Sequence, residues 1–77
     1  MANYRTSFFN DHIRQAQIEL QRRNGFQTAF ARQSCADSAL AHLRHALRIA
    51  NQLGDDVRKA TCMRVLNWVR ADLRKAA

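Results

Sequence analysis

The sequence predicts an all-α fold of three helices, in which the last two form an antiparallel helical hairpin and the first packs across it. Apolar residues recur at helical spacing on both sides of Leu53–Asp55, and the two stripes mirror each other about that point. The sequence has no proline and two glycines, so few residues would interrupt a helix, as is typical of long helices joined by short turns. We therefore expect one small helical domain spanning residues 1–77.

The first helix is expected to follow a frayed segment, Met1–Tyr4, with Thr6 or Ser7 as its N-cap and Asp11 in its early turns. Gly25 is expected to end it in the left-handed conformation, with the next residue folding back on the helix. One narrow apolar stripe runs along this segment: Phe9, Ile13, Ala16 and Leu20.

A second group of apolar residues, Tyr4, Phe8 and Ile18, falls on the opposite face of the first helix. These residues are either scattered exposed apolar side chains or a contact surface for a second copy or another protein. Because the core of so short a chain is small, we expect a homodimer or an obligate partner.

The second helix has an ambiguous beginning. Phe26–Gln33 forms either a short helix of its own or the first turns of helix two, while Ser34–Asp37 has the outline of a capping box. The helix is expected to run to Leu53. Its buried face carries alanines beside leucines: Ala36, Ala39, Leu40, Leu43, Ala46, Leu47 and Ala50.

The third helix is expected to start after Gly54, with Asp55 as its N-cap and Asp56 in its first turn. Folding the hairpin at this turn pairs Leu43 with Leu66. The predicted buried residues of helix three are Cys62, Val65, Leu66, Val69 and Leu73.

The charge balance indicates a partner with a negative surface. Thirteen Lys and Arg against six Asp and Glu give a net charge of +7, and eleven of the thirteen cations are arginine. The alternatives are an acidic protein, nucleic acid, anionic lipid, or a basic surface that serves solubility alone. The predicted partner-binding residues are Arg64, Arg70 and Arg74 on helix three, together with Arg44 and Arg48 on helix two. Trp68 is expected either to pack at the edge of the core or to anchor the partner interface.

The cysteines and histidines do not predict a metal centre. Cys35, His42 and His45 fall along one flank of helix two, but a structural zinc site needs four converging ligands. In the mirrored register Cys62 lies roughly 18 Å along the helix from Cys35, which also excludes a disulfide within the hairpin. We expect reduced, buried thiols, no metal, no cofactor and no catalytic centre.

The segment Ile49–Val57 partly resembles a helix-turn-helix DNA-binding motif through the spacing of its alanine, leucine and glycine. The resemblance implies that Arg58, Lys59 and Arg64 would read phosphates or bases. The segment departs from the motif in placing Asp55 where the family has an apolar residue. The long flanking helices with mirrored stripes also imply antiparallel packing, whereas the motif has a steep crossing.

These observations together predict a small non-enzymatic regulatory or inhibitory protein that docks a basic helical surface on an acidic macromolecular partner. A DNA- or RNA-binding regulator of helix-turn-helix type is the alternative. We expect a cytoplasmic protein that does not act at a membrane, since neither a spanning segment nor a secretory signal is apparent. By analogy with other small free-standing chains, it is the kind of accessory protein that phages and mobile elements encode.

Overall fold

The computed structural model describes residues 4–76, with side chains to Arg74, and it confirms the predicted fold class. Three helices account for nearly all of these residues: α1 (Tyr4–Gly25), α2 (Ala29–Leu53) and α3 (Asp56–Ala76). The Cα atoms fill an elongated volume of 44 × 20 × 13 Å. Of the segment expected to be frayed, Met1–Asn3 lies outside the described residues, and Tyr4 already belongs to α1.

Both predicted ends of α1 need correction. The helix begins at Tyr4, so Thr6 and Ser7 lie inside it and do not cap it, and Asp11 lies beyond the first turn. At the other end, Gly25 does not have a positive φ. The helix closes with a tight turn in which the Phe26 N–H donates to the carbonyl of Arg23 at 3.3 Å, so no left-handed residue is needed.

Helix α2 begins at Ala29, five residues before the predicted capping box. Thr28 is the N-cap, with an extended backbone, and its Oγ1 accepts a hydrogen bond from the Ala31 N–H at 3.2 Å. The residues Phe30–Gln33 are thus the first turns of α2, which was one of the two alternatives. Ser34 lies inside the helix, and Asp37 accepts a hydrogen bond from the side chain of Gln33 at 2.9 Å instead of forming a cap.

The turn between α2 and α3 has the predicted geometry. Gly54 adopts the left-handed conformation with φ 65°, and its N–H donates to the carbonyls of Ala50 and Asn51. Asp55 caps α3 by accepting a hydrogen bond from the Arg58 N–H at 3.0 Å. The same carboxylate binds the guanidinium of Arg58, so one residue holds the first turn of α3 through two contacts.

The α2–α3 hairpin is held by the mirrored stripes. Leu43 and Leu66 are each 1% exposed and lie in the same core cluster, as the register predicts. At the turn end, Leu47 packs against a second cluster that contains Cys62, the residue that the mirrored register places opposite it. The remaining apolar residues of the main cluster include Leu40, Val65, Val69 and Leu73.

Helix α1 makes its most extensive contact with α2, through the alanines of that helix. Ala16 packs with Ala39, whereas Phe9 packs with Ala46 and Ala50, so α1 runs antiparallel to α2. The predicted stripe of α1 is therefore the buried one. Alanine at these positions lets the helix backbones approach closely.

Two arginine side chains connect α1 with α3, which runs parallel to it. The guanidinium of Arg58 lies over the ring of Phe9, 5.6 Å from its centroid. At the opposite end, Arg23 forms an ion pair with Asp72 at 2.5 Å, and its side chain is 13% exposed. The same two helices are thus joined by arginine at both ends.

Candidate partner-binding surface

The arginines of α2 border the leucine row that packs against α3. Arg44 is four residues after Leu40 and three before Leu47, and both leucines belong to the main core cluster. Arg48 follows one turn later, so the two guanidiniums share a face. Both arginines are exposed and lie on the side of α2 that turns away from α1.

The arginines of α3 border the matching row. Arg70 is four residues after Leu66 and three before Leu73, and Arg74 follows one turn later. Both are exposed. Because the two leucine rows pack together, helical geometry brings these two arginines and the two of α2 to the same side of the hairpin. We name this surface, made by Arg44, Arg48, Arg70 and Arg74, the basic face.

Arg64 and Trp68 lie on the other flank of α3. Trp68 is three residues after Val65 and four before Asp72, and Asp72 is the residue that bonds α1. Arg64 precedes Trp68 by one turn, so the pair borders the α1 side. The structure therefore divides the predicted partner-binding residues between two flanks. Trp68 is 60% exposed, which makes it a surface residue.

Three of the six acidic residues of the chain form ion pairs with arginines outside the basic face. Glu19, Asp55 and Asp72 form ion pairs with Arg22, Arg58 and Arg23. Within residues 4–74, none of the four arginines of the basic face forms an ion pair with an acidic side chain. The four guanidinium groups of the basic face outnumber the two carboxylates, those of Asp37 and Asp56, that helical spacing places on the same side of α2 and α3.

The second apolar group of α1 is exposed, as expected from its position. Tyr4, Phe8 and Ile18 are 76%, 56% and 38% exposed. Their spacing places them along one stripe of α1, away from the residues that pack on α2 and α3. Phe30, near the start of α2, is another exposed aromatic residue and lies outside this stripe.

Two features separate the α2–α3 turn from the helix-turn-helix motif that its sequence resembles. First, the helices pack side by side as an antiparallel hairpin. Second, one of the residues that the resemblance implies as DNA readers, Arg58, is half-buried between Asp55 and Phe9. Lys59 and Arg64 are exposed. The guanidinium of Arg58 thus serves the packing of α1 on α3.

Both cysteines are free and buried. Cys62 is 0% exposed, and burial raises the pKa of its thiol. Burial also raises the pKa of the Cys35 thiol, and a hydrogen bond to Glu19 and the charge of that carboxylate act in the same direction. The two thiols accordingly favour the protonated, unreactive form.

A histidine cluster joins α1 and α2, and sequence reasoning missed it. Nδ1 of His12 lies 3.0 Å from Nδ1 of His42, and the ring of His12 stacks on that of His45 with 5.2 Å between centroids. His42 therefore pairs with α1, whereas the sequence grouped it with Cys35. Among the described residues, no three His, Cys, Asp or Glu side chains are arranged to hold a metal ion. The antiparallel register of α1 on α2 was the signal needed to find the cluster.

A cleft of about 530 Å³ opens at the end of the bundle where α1 ends and α2 begins. Its charged groups are Arg23, Arg32 and Asp72, of which two are already paired with each other. The other lining residues are Asn24, Ala29, Gln33 and Leu73. The lining contains no imidazole, thiol or hydroxyl group.

Comparisons of this chain with protein-family models, with curated proteins and with solved structures gave no match. In the part of the chain that the structure describes, no helix has the length and apolar character needed to cross a membrane.

Proposed function

We propose that this chain is a small non-enzymatic regulatory or inhibitory protein that docks its basic face on an acidic partner protein. The proposal is supported by the helical spacing that puts Arg44, Arg48, Arg70 and Arg74 on one side of the hairpin, where none of them forms an ion pair with an acidic side chain of residues 4–74. Arginine is suited to this use because its planar guanidinium binds carboxylates in a bidentate manner.

The packing beneath the basic face supports a docking role. The arginine backbones are fixed by the leucine rows of the hairpin core, so the charges are presented on a rigid support. A positive surface of this kind accelerates encounter with an acidic partner and excludes basic ones. Arg64 and Trp68 would extend the contact around α3, where an exposed indole can become a buried anchor.

We further propose that the chain forms a homodimer through α1. Tyr4, Phe8 and Ile18 form an exposed apolar stripe on the side of α1 that the bundle leaves uncovered. A second copy would remove this area from water, which compensates for the small core of a short chain. The basic face lies on the opposite side of the bundle and would remain accessible.

Nucleic acid is the competing partner class, because the same arginines can bind phosphates. Two observations favour the acidic protein. Arg58 is engaged by Asp55 and Phe9, and Asp55 and Asp56 place negative charge at the turn that a groove-reading hairpin would present. The two classes differ in their salt dependence and in their response to nuclease.

Affinity capture from a lysate, with and without nuclease, tests the partner class. We expect the wild-type chain to retain an acidic protein after nuclease treatment. The R70E/R74E variant is expected to lose it because the face then repels the acidic partner. The R14E/R22E variant changes the net charge equally but lies on α1, and it should retain the partner.

A different result would favour nucleic acid. In that case nuclease abolishes retention, and the logarithm of the affinity for a short duplex falls linearly with the logarithm of salt concentration. Loss of duplex binding on Arg64→Ala would then implicate the α3 flank that the helix-turn-helix resemblance indicates.

Sedimentation equilibrium tests the dimer. We expect the F8Q/I18Q variant to keep the helical circular dichroism of the wild type but to sediment as a monomer at concentrations where the wild type is dimeric. The control is Phe30→Gln, which removes an even more exposed aromatic side chain outside the α1 stripe. A wild-type chain that stays monomeric at high concentration would contradict the proposal.

A further inference from the structure

All three histidines of the chain gather at one point of the α1–α2 contact. His12 comes from α1, and His42 and His45 come from α2. His12 and His42 are partly buried, and the ring planes of His12 and His45 are inclined by 25° in a stacked arrangement. The role proposed above makes no use of this cluster.

The contact between the two Nδ1 atoms sets a limit on how many protons the pair can hold. At 3.0 Å one Nδ1 must donate a proton and the other must accept it through a lone pair. If both imidazoles were protonated, two N–H groups and two positive charges would face each other. Protonation of both rings would therefore break the hydrogen bond between them.

The surroundings of the cluster oppose protonation further. The ring of His45 stacks on that of His12, and its charge acts to lower the pKa of His12. On the α3 side, Arg58 lies over Phe9, which precedes His12 by one turn. Asp11 is the acidic neighbour that acts in the opposite direction.

We propose that the histidine cluster is a proton-sensitive latch between α1 and α2, which holds α1 in place at neutral pH and weakens that contact in mild acid. This regulation goes beyond the docking role, because it concerns the helix that carries the exposed Tyr4 and Phe8 rather than the basic face. The proposal takes protons as the ligand, and among the described residues no three donor side chains are arranged to hold a metal ion.

The sign of the pH effect follows from linkage. Burial lowers the pKa of His12, and the charges of His42 and His45 lower it further. In the unfolded chain the imidazole has its ordinary pKa of 6.5, so below that pH the unfolded state binds more protons than the folded state. Stability is therefore greatest above pH 6.5 and falls as the pH decreases towards the lowered pKa.

Thermal unfolding followed by circular dichroism, in EDTA at constant ionic strength, tests the latch. Between about pH 7.5 and about pH 5, where histidine titrates, we expect the wild-type Tm to fall by roughly 4–8 °C. The H12Q/H42Q/H45Q variant should lose most of this dependence. The control Gln21→His adds an exposed histidine on α1 outside the cluster and should leave the wild-type profile unchanged.

Parallel profiles for the wild type and the triple variant would overturn the proposal. Should the triple variant fail to fold, NMR titration of the wild-type His12 ring decides. A midpoint below 6.5 supports the latch, and one at or above 6.5 overturns it. In the absence of EDTA, a rise in Tm with zinc that Gln at position 12 abolishes would identify a metal site instead and also overturn the proposal.

Discussion

The two sides of α2 pack in different ways. Towards α3 the helix presents leucines, and Leu43 meets an equally bulky Leu66 in the main cluster. Towards α1 it presents Ala39, Ala46 and Ala50, which are all 0% exposed. We refer to these contacts as the leucine side and the alanine side of α2. The two sides differ in side-chain volume. On the leucine side, large residues from both helices fill the space between α2 and α3. On the alanine side, the small side chains allow α1 to approach α2 closely.

This difference determines how each side is stabilised. Complete burial of a leucine contributes about 1.5–3 kcal/mol through the apolar area removed from water. An alanine buries much less area, so the alanine side depends on close contact between backbones and on the large residues that α1 supplies: Phe9, Ile13 and Leu20. The leucine side is therefore sensitive to loss of volume, whereas the alanine side is sensitive to gain of volume.

The largest expected effect comes from removing volume on the leucine side. Leu43→Ala should lower the free energy of unfolding by roughly 2–5 kcal/mol, because it leaves a cavity beside Leu66. Urea denaturation measures the change. Val57→Ala, at a position 77% exposed, is the control and should shift stability by less than about 0.5 kcal/mol. Equal stabilities for the two variants would show that Leu43 is not at the centre of the core.

A smaller loss is expected from adding volume on the alanine side. Ala39→Leu should destabilise the fold by roughly 1–3 kcal/mol, because the new side chain has to displace Ala16 and push α1 away. Ala41→Leu places the same substitution on the exposed surface of α2 and should be close to neutral. If Ala39→Leu were stabilising, α1 would not approach α2 as closely as the structure shows.

The two interhelical connections provide the smallest predicted effects, and these have opposite signs. Gly54 is left-handed, so Gly54→Ala should cost roughly 1–2 kcal/mol in backbone strain, although no atom lies within 4 Å of the added Cβ. Gly25 does not have a positive φ and is equally unobstructed. Gly25→Ala should therefore stabilise by roughly 0.4–1 kcal/mol, as it restricts the unfolded chain. A loss of stability at Gly25 would indicate that the connection between α1 and α2 needs glycine.

The leucine side and its turn were predictable because each carries a local signal. The spacing of Leu40, Leu43 and Leu47 is visible within one helix, and Gly54 followed by Asp55 marks the end of one helix and the start of the next. The structure agrees with both signals, because the same leucines form the main core cluster and the same glycine forms the left-handed turn. The fold class followed from these alone.

The start of α2 and the histidine cluster were not predictable in the same way. Phe30 is 85% exposed, so the first turns of α2 lack the buried apolar stripe from which a helix is predicted. Thr28 caps the helix, but no Glu or Gln follows it at the position that a capping box requires. His12 meets His42 only after α1 and α2 take their antiparallel register. Likewise, the division of the basic residues between two flanks depends on which side of the α2–α3 hairpin packs against α1, and the spacing within one helix does not specify that side.

The exposure of Trp68 has a spectroscopic consequence. It is the single tryptophan of the chain, and 60% of its surface is open to solvent in the folded state. Its emission in the folded protein is accordingly that of a hydrated indole and is a poor reporter of unfolding. The emission of the free protein is nevertheless a favourable starting point for detecting a complex. Any partner that covers this flank of α3 moves the indole from water into an apolar environment. The emission maximum of the unlabelled protein then shifts to shorter wavelength as the complex forms.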